Sequence, residues 1–126
     1  SFIFRKINAL FEGRQIRVLG SGRTVRSYMY GSDLAYWLLV MLCKATSGGS
    51  YNLGSDEAMS LADLAALISS VSPTKPSVVL SVGTHEQLRE SRLVPDLSKA
   101  RRDFGLNITV NIESAIQKTI AWHLLK

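Results

Sequence analysis

Nine consecutive apolar residues, 35–43, constrain the fold of this chain more than any other feature. About 20 apolar residues are needed to cross a bilayer, so this run does not span a membrane. A helix that is apolar on all sides must be covered by other structure on most of its faces. A chain of 126 residues forms one domain with a modest core and has little material for this cover. The run therefore predicts either a helix that packs against a partner surface or the central helix of a small compact domain.

Short strands and helices alternate along the sequence, which predicts an α/β fold rich in helices. The sequence predicts strands over residues 16–19, 50–53 and 78–82, and the segment 26–30, which is rich in aromatic and polar residues, is compatible with an extended conformation. Helical spacing of apolar residues predicts helices over 2–12, from 32 or 33, from 60, from 96 to 105 and from 111 onward. The strands are short and few, so they form at best one small sheet or pieces of two sheets.

Oxygen-bearing side chains mark four of these helix starts, because such side chains accept hydrogen bonds from the exposed amides of a first turn. The candidate capping residues are Ser32 or Asp33, Ser60, Asp96 and Asn111. Ser60 and Asp63 also form a capping-box pattern.

The charge balance favours an anionic partner. The chain has 15 Lys and Arg against 10 Asp and Glu, which gives a net charge of +5. This surplus suits nucleic acid, a membrane surface or a phosphorylated small molecule, but a surplus of this size also serves solubility alone. The cations are scattered and are not interleaved with aromatic residues in a recognisable module, so we predict no nucleic-acid or membrane partner.

The single cysteine, Cys43, allows no internal disulfide, and its place in the apolar run predicts a buried thiol in a reducing, cytoplasmic compartment. His85 and His123 lie far apart and lack ligand spacing, so we predict no metal site. The sequence begins Ser1-Phe2 without a methionine or a signal-peptide pattern. We therefore expect a piece of a longer protein rather than a natural start.

Gly20, Ser21 and Gly22 form a glycine-x-glycine turn that has two interpretations. A dinucleotide loop needs a third glycine and a helix directly after the turn, because the amides of that helix hold the pyrophosphate. Both features are missing. A tight turn that needs the backbone freedom of glycine is therefore the favoured interpretation.

Arg26 and Arg92 are the candidate ligand-binding residues. A guanidinium is planar, always charged and able to hold two oxygen atoms at once, which suits a diphosphate. The alternative is that each is a surface or salt-bridged residue, and spacing alone does not bring them together. No nucleophile motif is visible. Asp56 and Glu57 lie in a predicted turn, where we expect them to be loop residues rather than a catalytic acid and base. We identify no catalytic residue.

Five motifs in order carry a resemblance to a known family. The first joins Val18-Leu19-Gly20-Ser21-Gly22 with Arg26-Ser27-Tyr28 and Asp33-Leu34-Ala35, and the others are Tyr51-Asn52-Leu53-Gly54, Ser60-Leu61-Ala62-Asp63-Leu64, Pro95-Asp96-Leu97-Ser98-Lys99-Ala100 and Phe104-Gly105-Leu106. Together they resemble the substrate domain of the extended short-chain dehydrogenases/reductases, the NAD-dependent nucleotide-sugar epimerases, dehydratases and decarboxylases. The resemblance covers nearly all of residues 1–126. It implies a carboxyl-terminal substrate-binding portion that an amino-terminal Rossmann domain normally completes.

The resemblance also implies a nucleotide-sugar substrate and the residues that contact it. In the family, the arginines that match Arg26 and Arg92 reach the diphosphate. The strand before the glycine turn, here Val18 and Leu19, contacts the nucleobase. The position of Asp33 is a helix cap. This chain departs from the family at Leu19, where an aromatic residue is frequent, and in the loop before Arg92.

The chemistry of this family is hydride exchange with NAD, supported by a Tyr-x-x-x-Lys pair. None of the four tyrosines here has a lysine four positions later. We therefore expect that the parent enzyme uses NAD, that this chain binds none, and that it is inactive alone.

Two hypotheses follow. The first is the substrate-binding part of an NAD-dependent nucleotide-sugar epimerase or dehydratase, in which the apolar helix and residues 51–53 pack on or join the absent dinucleotide-binding sheet. Without that sheet, we expect the chain to self-associate, as a homo-oligomer for example, or to have poorly ordered segments there. The alternative is a stand-alone, non-catalytic module that binds an anionic ligand or a partner protein.

Overall fold

The computed structural model describes residues 15–46, 48–81 and 91–125. The strands in these ranges are β1 (Ile16–Leu19), β2 (Val25–Ser27), β3 (Ala58–Ser60), β4 (Val78–Ser81) and β5 (Arg92–Leu93). The helices are α1 (Gly31–Lys44), α2 (Leu61–Val71), α3 (Ser98–Phe104) and α4 (Ile112–Leu124). This arrangement confirms the expected α/β fold with several helices and a few short strands. The predicted helix over 2–12, Val82 and His85 lie outside the described residues.

The five strands form two separate small sheets. In the first, β1 and β4 run parallel, with Ile16 beside Val78. In the second, β2 is central, antiparallel to β3 and parallel to β5. The expectation of pieces of two sheets is therefore confirmed.

Two hydrophobic clusters hold these elements together. The first packs β1 against α2 and α4, and its buried residues are Ile16, Val18, Leu64, Ala65, Ile68, Ile116 and Ile120. Side chains alternate along β1, so its even-numbered residues face this cluster and its odd-numbered residues face outward. The second cluster packs α1 against α3 and the loop that follows α3, and it consists of Trp37, Leu97, Ala100 and Leu106.

The local helix signals are confirmed at three ends. Ser60 Oγ accepts a hydrogen bond from Asp63 N at 3.0 Å, and Asn111 Oδ1 accepts from Ser114 N at 2.9 Å. Gly105 follows α3 with a φ of 67°, in the left-handed region that favours glycine. Asp96 accepts from Ser98 N at 2.9 Å, although the capping position itself is occupied by Leu97.

The prediction that Ser32 or Asp33 caps the first described helix is wrong. Helix α1 begins at Gly31, and its capping residue, Tyr30, makes no side-chain hydrogen bond to it. The buried carboxylate of Asp33 accepts hydrogen bonds from the backbone amides of Thr109 and Val110, each at 3.0 Å, and from the Thr109 hydroxyl. Asp33 therefore joins α1 to the segment before α4, because donors from that distant segment occupy both of its oxygens.

The predicted strand over 50–53 is also wrong, and the strand β3 was not predicted. No strand lies beside residues 50–53 in the described part of the chain, so they have no neighbouring strand with which to form backbone hydrogen bonds. They are fixed instead by polar contacts to α3 and the segment before it: Asn52 Nδ2 donates to Asp96 O at 2.9 Å, and Lys99 Nζ donates to Ser50 O at 2.8 Å.

Helix α1 is buried on one side only. Trp37 is fully buried, and its Nε1 donates to Asn107 O at 3.3 Å. By contrast, Leu39 is 61% exposed and Leu42 is 82% exposed. Cys43 is exposed, so the prediction of a buried thiol is wrong. In the described ranges, no helix combines the length and apolar character needed to cross a membrane.

We predict that Asp33→Asn lowers the free energy of unfolding by about 1–3 kcal/mol, because it weakens hydrogen bonds to a buried charged group. Burial raises the pKa of Asp33, but the hydrogen bonds from Thr109 and Val110 outweigh it and bring the pKa below its ordinary value. The carboxylate therefore stabilises the fold above its unfolded-state pKa, and this contribution is lost as the pH falls through the folded-state pKa. Urea unfolding at several pH values measures the effect.

Glu113→Gln is the matched control, since it removes a negative charge from an exposed position in the first turn of α4. It should change stability by less than about 0.5 kcal/mol. Equal stability of the two variants at neutral pH would contradict the role assigned to Asp33.

Candidate functional site

Arg26 lies in the centre of β2, and its guanidinium is held by the neighbouring strand segment. Its Nη1 donates to Val25 O at 2.8 Å and to Ser91 O at 3.0 Å, and its Nη2 donates to Ser91 Oγ at 2.9 Å. A guanidinium tied at three points loses little further freedom when it binds a ligand, which favours binding.

The second sheet brings Arg92 next to this residue. In the parallel pairing of β2 and β5, Val25 lies beside Arg92 and Arg26 lies beside Leu93. Side chains alternate between the two faces of a strand, so Arg26 and Arg92 start from opposite faces of the sheet. Arg92 is exposed at the first position of β5. The structure thus places the two arginines on adjacent strands, and a shared ligand would have to lie at the start of β5.

The two residues predicted to contact a nucleobase differ in exposure. Val18 is fully buried in the first hydrophobic cluster, so only its backbone is available to a ligand. Leu19 is 74% exposed at the end of β1. Of the two, Leu19 is therefore the one whose side chain a ligand can reach.

The glycine turn is structural. Gly20 and Gly22 have φ values of 83° and 70°, which other residues rarely adopt. The turn also uses the start of α2: Gly22 O accepts from Ala62 N, and Thr24 O accepts from Leu61 N, each at 3.0 Å. Amides that are already hydrogen-bonded do not hold a phosphate, so Leu61 N and Ala62 N are not available to one.

A cleft of about 470 Å³ lies between the segment before α1 and helix α4, and the sequence had not indicated it. Its lining is mostly apolar and aromatic and includes Tyr28, Met29, Tyr30, Ile116, Lys118 and Trp122. Burial raises the pKa of Tyr28, and the nearby positive charge of Arg26 partly offsets this. Tyr28, which lines the cleft, lies two residues after Arg26 in the sequence. The available signal was the pair Tyr28 and Tyr30 together with Lys118 and Trp122 one helical turn apart.

The two carboxylates near the glycine at position 54 have structural partners. Asp56 makes a bidentate ion pair with Arg101, at 2.7 and 3.0 Å. The hydrogen bonds from Arg101 hold the pKa of Asp56 below its usual value. Glu57 Oε2 accepts from Ile112 N at 3.1 Å, at the start of α4. Both support the fold of the loop rather than acid/base chemistry.

Comparison with known proteins gives a consistent set of matches. The model of the NAD dependent epimerase/dehydratase family matches residues 1–54. A dTDP-glucose 4,6-dehydratase of Neisseria gonorrhoeae is 28% identical over 131 residues, which cover 94% of this chain and 37% of that protein. UDP-glucuronic acid decarboxylase 1 of Danio rerio is 29% identical over 111 residues, which cover 88% of this chain and 26% of that protein. This chain thus spans roughly a third of the length of the curated relatives it matches.

Solved structures match over almost the whole chain. The Bordetella bronchiseptica enzyme WbmF, solved in complex with NADH, has a TM-score of 0.85 and 26% identity, and the match covers 99% of this chain and 37% of that one. UDP-glucose 4-epimerase of Thermotoga maritima, solved with UDP-glucose, has a TM-score of 0.85 at 18% identity and shares the fold, over 99% of this chain and 40% of that one.

We predict that Gly22→Ala destabilises the fold more than Gly48→Ala. Both glycines have positive φ values, 70° and 82°, so both substitutions carry the backbone strain of about 1 kcal/mol. A Cβ at Gly22 would lie 2.9 Å from Ala62 Cβ, whereas nothing lies within 4 Å of a Cβ at Gly48. Thermal unfolding of the two variants measures the difference, and an equal loss of stability would show that the contact between the turn and α2 is not tight.

Proposed function

Because the model of the NAD dependent epimerase/dehydratase family matches residues 1–54, we propose that the chain belongs to this family and that residues 1–126 form the substrate-binding part of a nucleotide-sugar epimerase or dehydratase. The observation that carries this proposal is the fixed guanidinium of Arg26 on the strand beside Arg92, two residues before Tyr28 in the lining of an open cleft. In the parent protein this part holds the nucleotide diphosphate, while hydride transfer takes place on a preceding domain.

The roles of the individual residues follow from their positions. Arg26 neutralises the diphosphate with charge-assisted hydrogen bonds, which are stronger than those between neutral groups. Arg92 adds a second positive charge from the start of β5. Leu19 offers an exposed apolar side chain to the nucleobase. None of these residues exchanges a proton or hydride with the sugar, so their contribution is binding and orientation.

We assign NAD to the part of the longer relatives that this chain does not cover. The reason is chemical: the first amides of α2 are engaged by the glycine turn, and the sequence lacks the Tyr-x-x-x-Lys pair. NAD, when bound there, supplies the hydride acceptor. The residues of this chain hold the sugar close to it through the diphosphate.

The net charge of +5 supports a second candidate, a non-catalytic module that binds an anionic ligand or a partner protein. The two candidates differ in selectivity. A substrate site prefers a nucleotide sugar over inorganic pyrophosphate, because the nucleobase and sugar add contacts. A general anion site binds both with similar affinity.

We predict that Arg26→Ala weakens binding of dTDP-glucose by about 10- to 150-fold, which corresponds to the loss of about 1.5–3 kcal/mol for a hydrogen bond to a charged group. Isothermal titration calorimetry measures the change. Arg102→Ala on α3 is the matched control, since this exposed arginine pairs only with its neighbour Asp103 among the described side chains. Unchanged affinity of Arg26→Ala would contradict the proposal.

We also propose that the exposed side of α1 is the surface that packs against the preceding domain. Trp37 packs the opposite side of the helix into the second hydrophobic cluster. The position of α1, and with it the position of its exposed leucines, is therefore fixed. Leu38, Leu39 and Leu42 are at least half exposed. A surface of this kind promotes association when its partner is absent.

We predict that the 126-residue chain self-associates and that the double variant Leu39→Ser, Leu42→Ser shifts it toward the monomer. Light scattering at several concentrations measures the change. Leu125→Ser is the control, because Leu125 is also highly exposed but lies just after α4. An unchanged molecular mass for the double variant, or an equal shift for the control, would show that α1 is not the associating surface.

A further inference from the structure

The three hydrogen bonds of Arg26 divide its guanidinium into two functional sides. An arginine has five N–H donors: one on Nε and two on each Nη. The two carbonyl contacts of Nη1 and the hydroxyl contact of Nη2 use three of them. Within the described residues, the donors left for a ligand are Nε–H and one N–H of Nη2.

These two donors suit an anion. Nε–H and the adjacent N–H of Nη2 point in parallel along one edge of the guanidinium plane, which is the geometry that binds two oxygens of a phosphate. Rotation of the group would exchange this edge for the one that contacts the strand segment. The edge that faces a ligand is therefore determined by whatever holds the opposite edge.

Ser91 holds that edge. Its carbonyl oxygen accepts from Arg26 Nη1 at 3.0 Å and its hydroxyl oxygen accepts from Arg26 Nη2 at 2.9 Å, so one residue grips both terminal nitrogens. The same carbonyl accepts from Val25 N at 2.9 Å, in the pairing of β2 with β5. The contacts of Ser91 with Arg26 are thus part of the pairing between β2 and β5, and Ser91 directly precedes Arg92 in the sequence.

We propose that Ser91 is a positioning residue, which orients Arg26 so that its Nε edge faces the diphosphate. This inference rests on the proposed function and adds a specific residue to it. Removing the hydroxyl leaves the carbonyl contacts and the strand pairing in place. The variant Ser91→Ala therefore loosens the guanidinium without removing the sheet.

The test uses the full chain, with inorganic pyrophosphate and dTDP as probes. In ¹⁵N NMR spectra, the Arg26 Nε–H signal is the one that disappears in Arg26→Lys. We expect pyrophosphate to shift this signal in the unsubstituted chain. In Ser91→Ala we expect about three- to tenfold weaker binding of both probes, with the backbone amide signals of β2 and β3 retained.

Two further variants separate positioning from general damage. Ser91→Thr keeps a hydroxyl at the same position and should restore binding. Ser70→Ala removes an exposed hydroxyl that donates to Leu67 O on α2, and it should have no effect.

The outcomes distinguish the two proposals. If the unsubstituted chain binds the probes and Ser91→Ala binds them equally well, the role of Ser91 is overturned and the diphosphate site stands. If Ser91→Thr fails to restore the affinity that Ser91→Ala loses, the hydroxyl is not the positioning group. If neither probe shifts the Arg26 Nε–H signal in the unsubstituted chain, the ligand role of Arg26 fails, and that of Ser91 fails with it.

Discussion

The buried carboxylate of Asp33 determines how the two walls of the cleft meet. One wall, residues 28–31, directly precedes Asp33, and the other, helix α4, begins just after the two residues whose amides donate to this carboxylate. These partners are 76 and 77 residues away in the sequence. A buried charge is stable only when it is hydrogen-bonded, so the three donors and the carboxylate require each other. The two walls of the cleft are therefore joined by three hydrogen bonds to one carboxylate between distant segments.

Residues that act within their own helix could be predicted from the sequence as helix ends. Contacts between distant segments could not be predicted in this way. Ser60, Asn111 and Gly105 act within one turn of their own helices, so residue type and spacing were sufficient to identify them. Asp33 has the same residue type, but its donors come from the loop before α4. Strand β3 is three residues long and carries no alternating pattern, and it exists because β2 lies beside it. Such pairing has no local sequence signature.

The candidate site shows the same division. The resemblance to the family identified Arg26 and Arg92, and the structure then placed them on adjacent strands with opposite starting faces. Ser91 could not have been identified in this way, because a serine in a polar segment has no spacing rule that relates it to an arginine 65 residues earlier. Its role depends on the register of β2 against β5, which only the three-dimensional structure defines.

Helix α1 shows what the apolar run requires. Of the two interpretations of this run, the central helix of a compact domain needs burial on most sides, but only Trp37 among its large apolar residues is fully buried. The partner-surface interpretation needs one anchored side and one open side, and α1 has both. The chain also spans only part of the length of its relatives. The segment 28–31 lines the cleft and leads directly into α1, so one continuous stretch of chain forms both a wall of the cleft and the open side of α1.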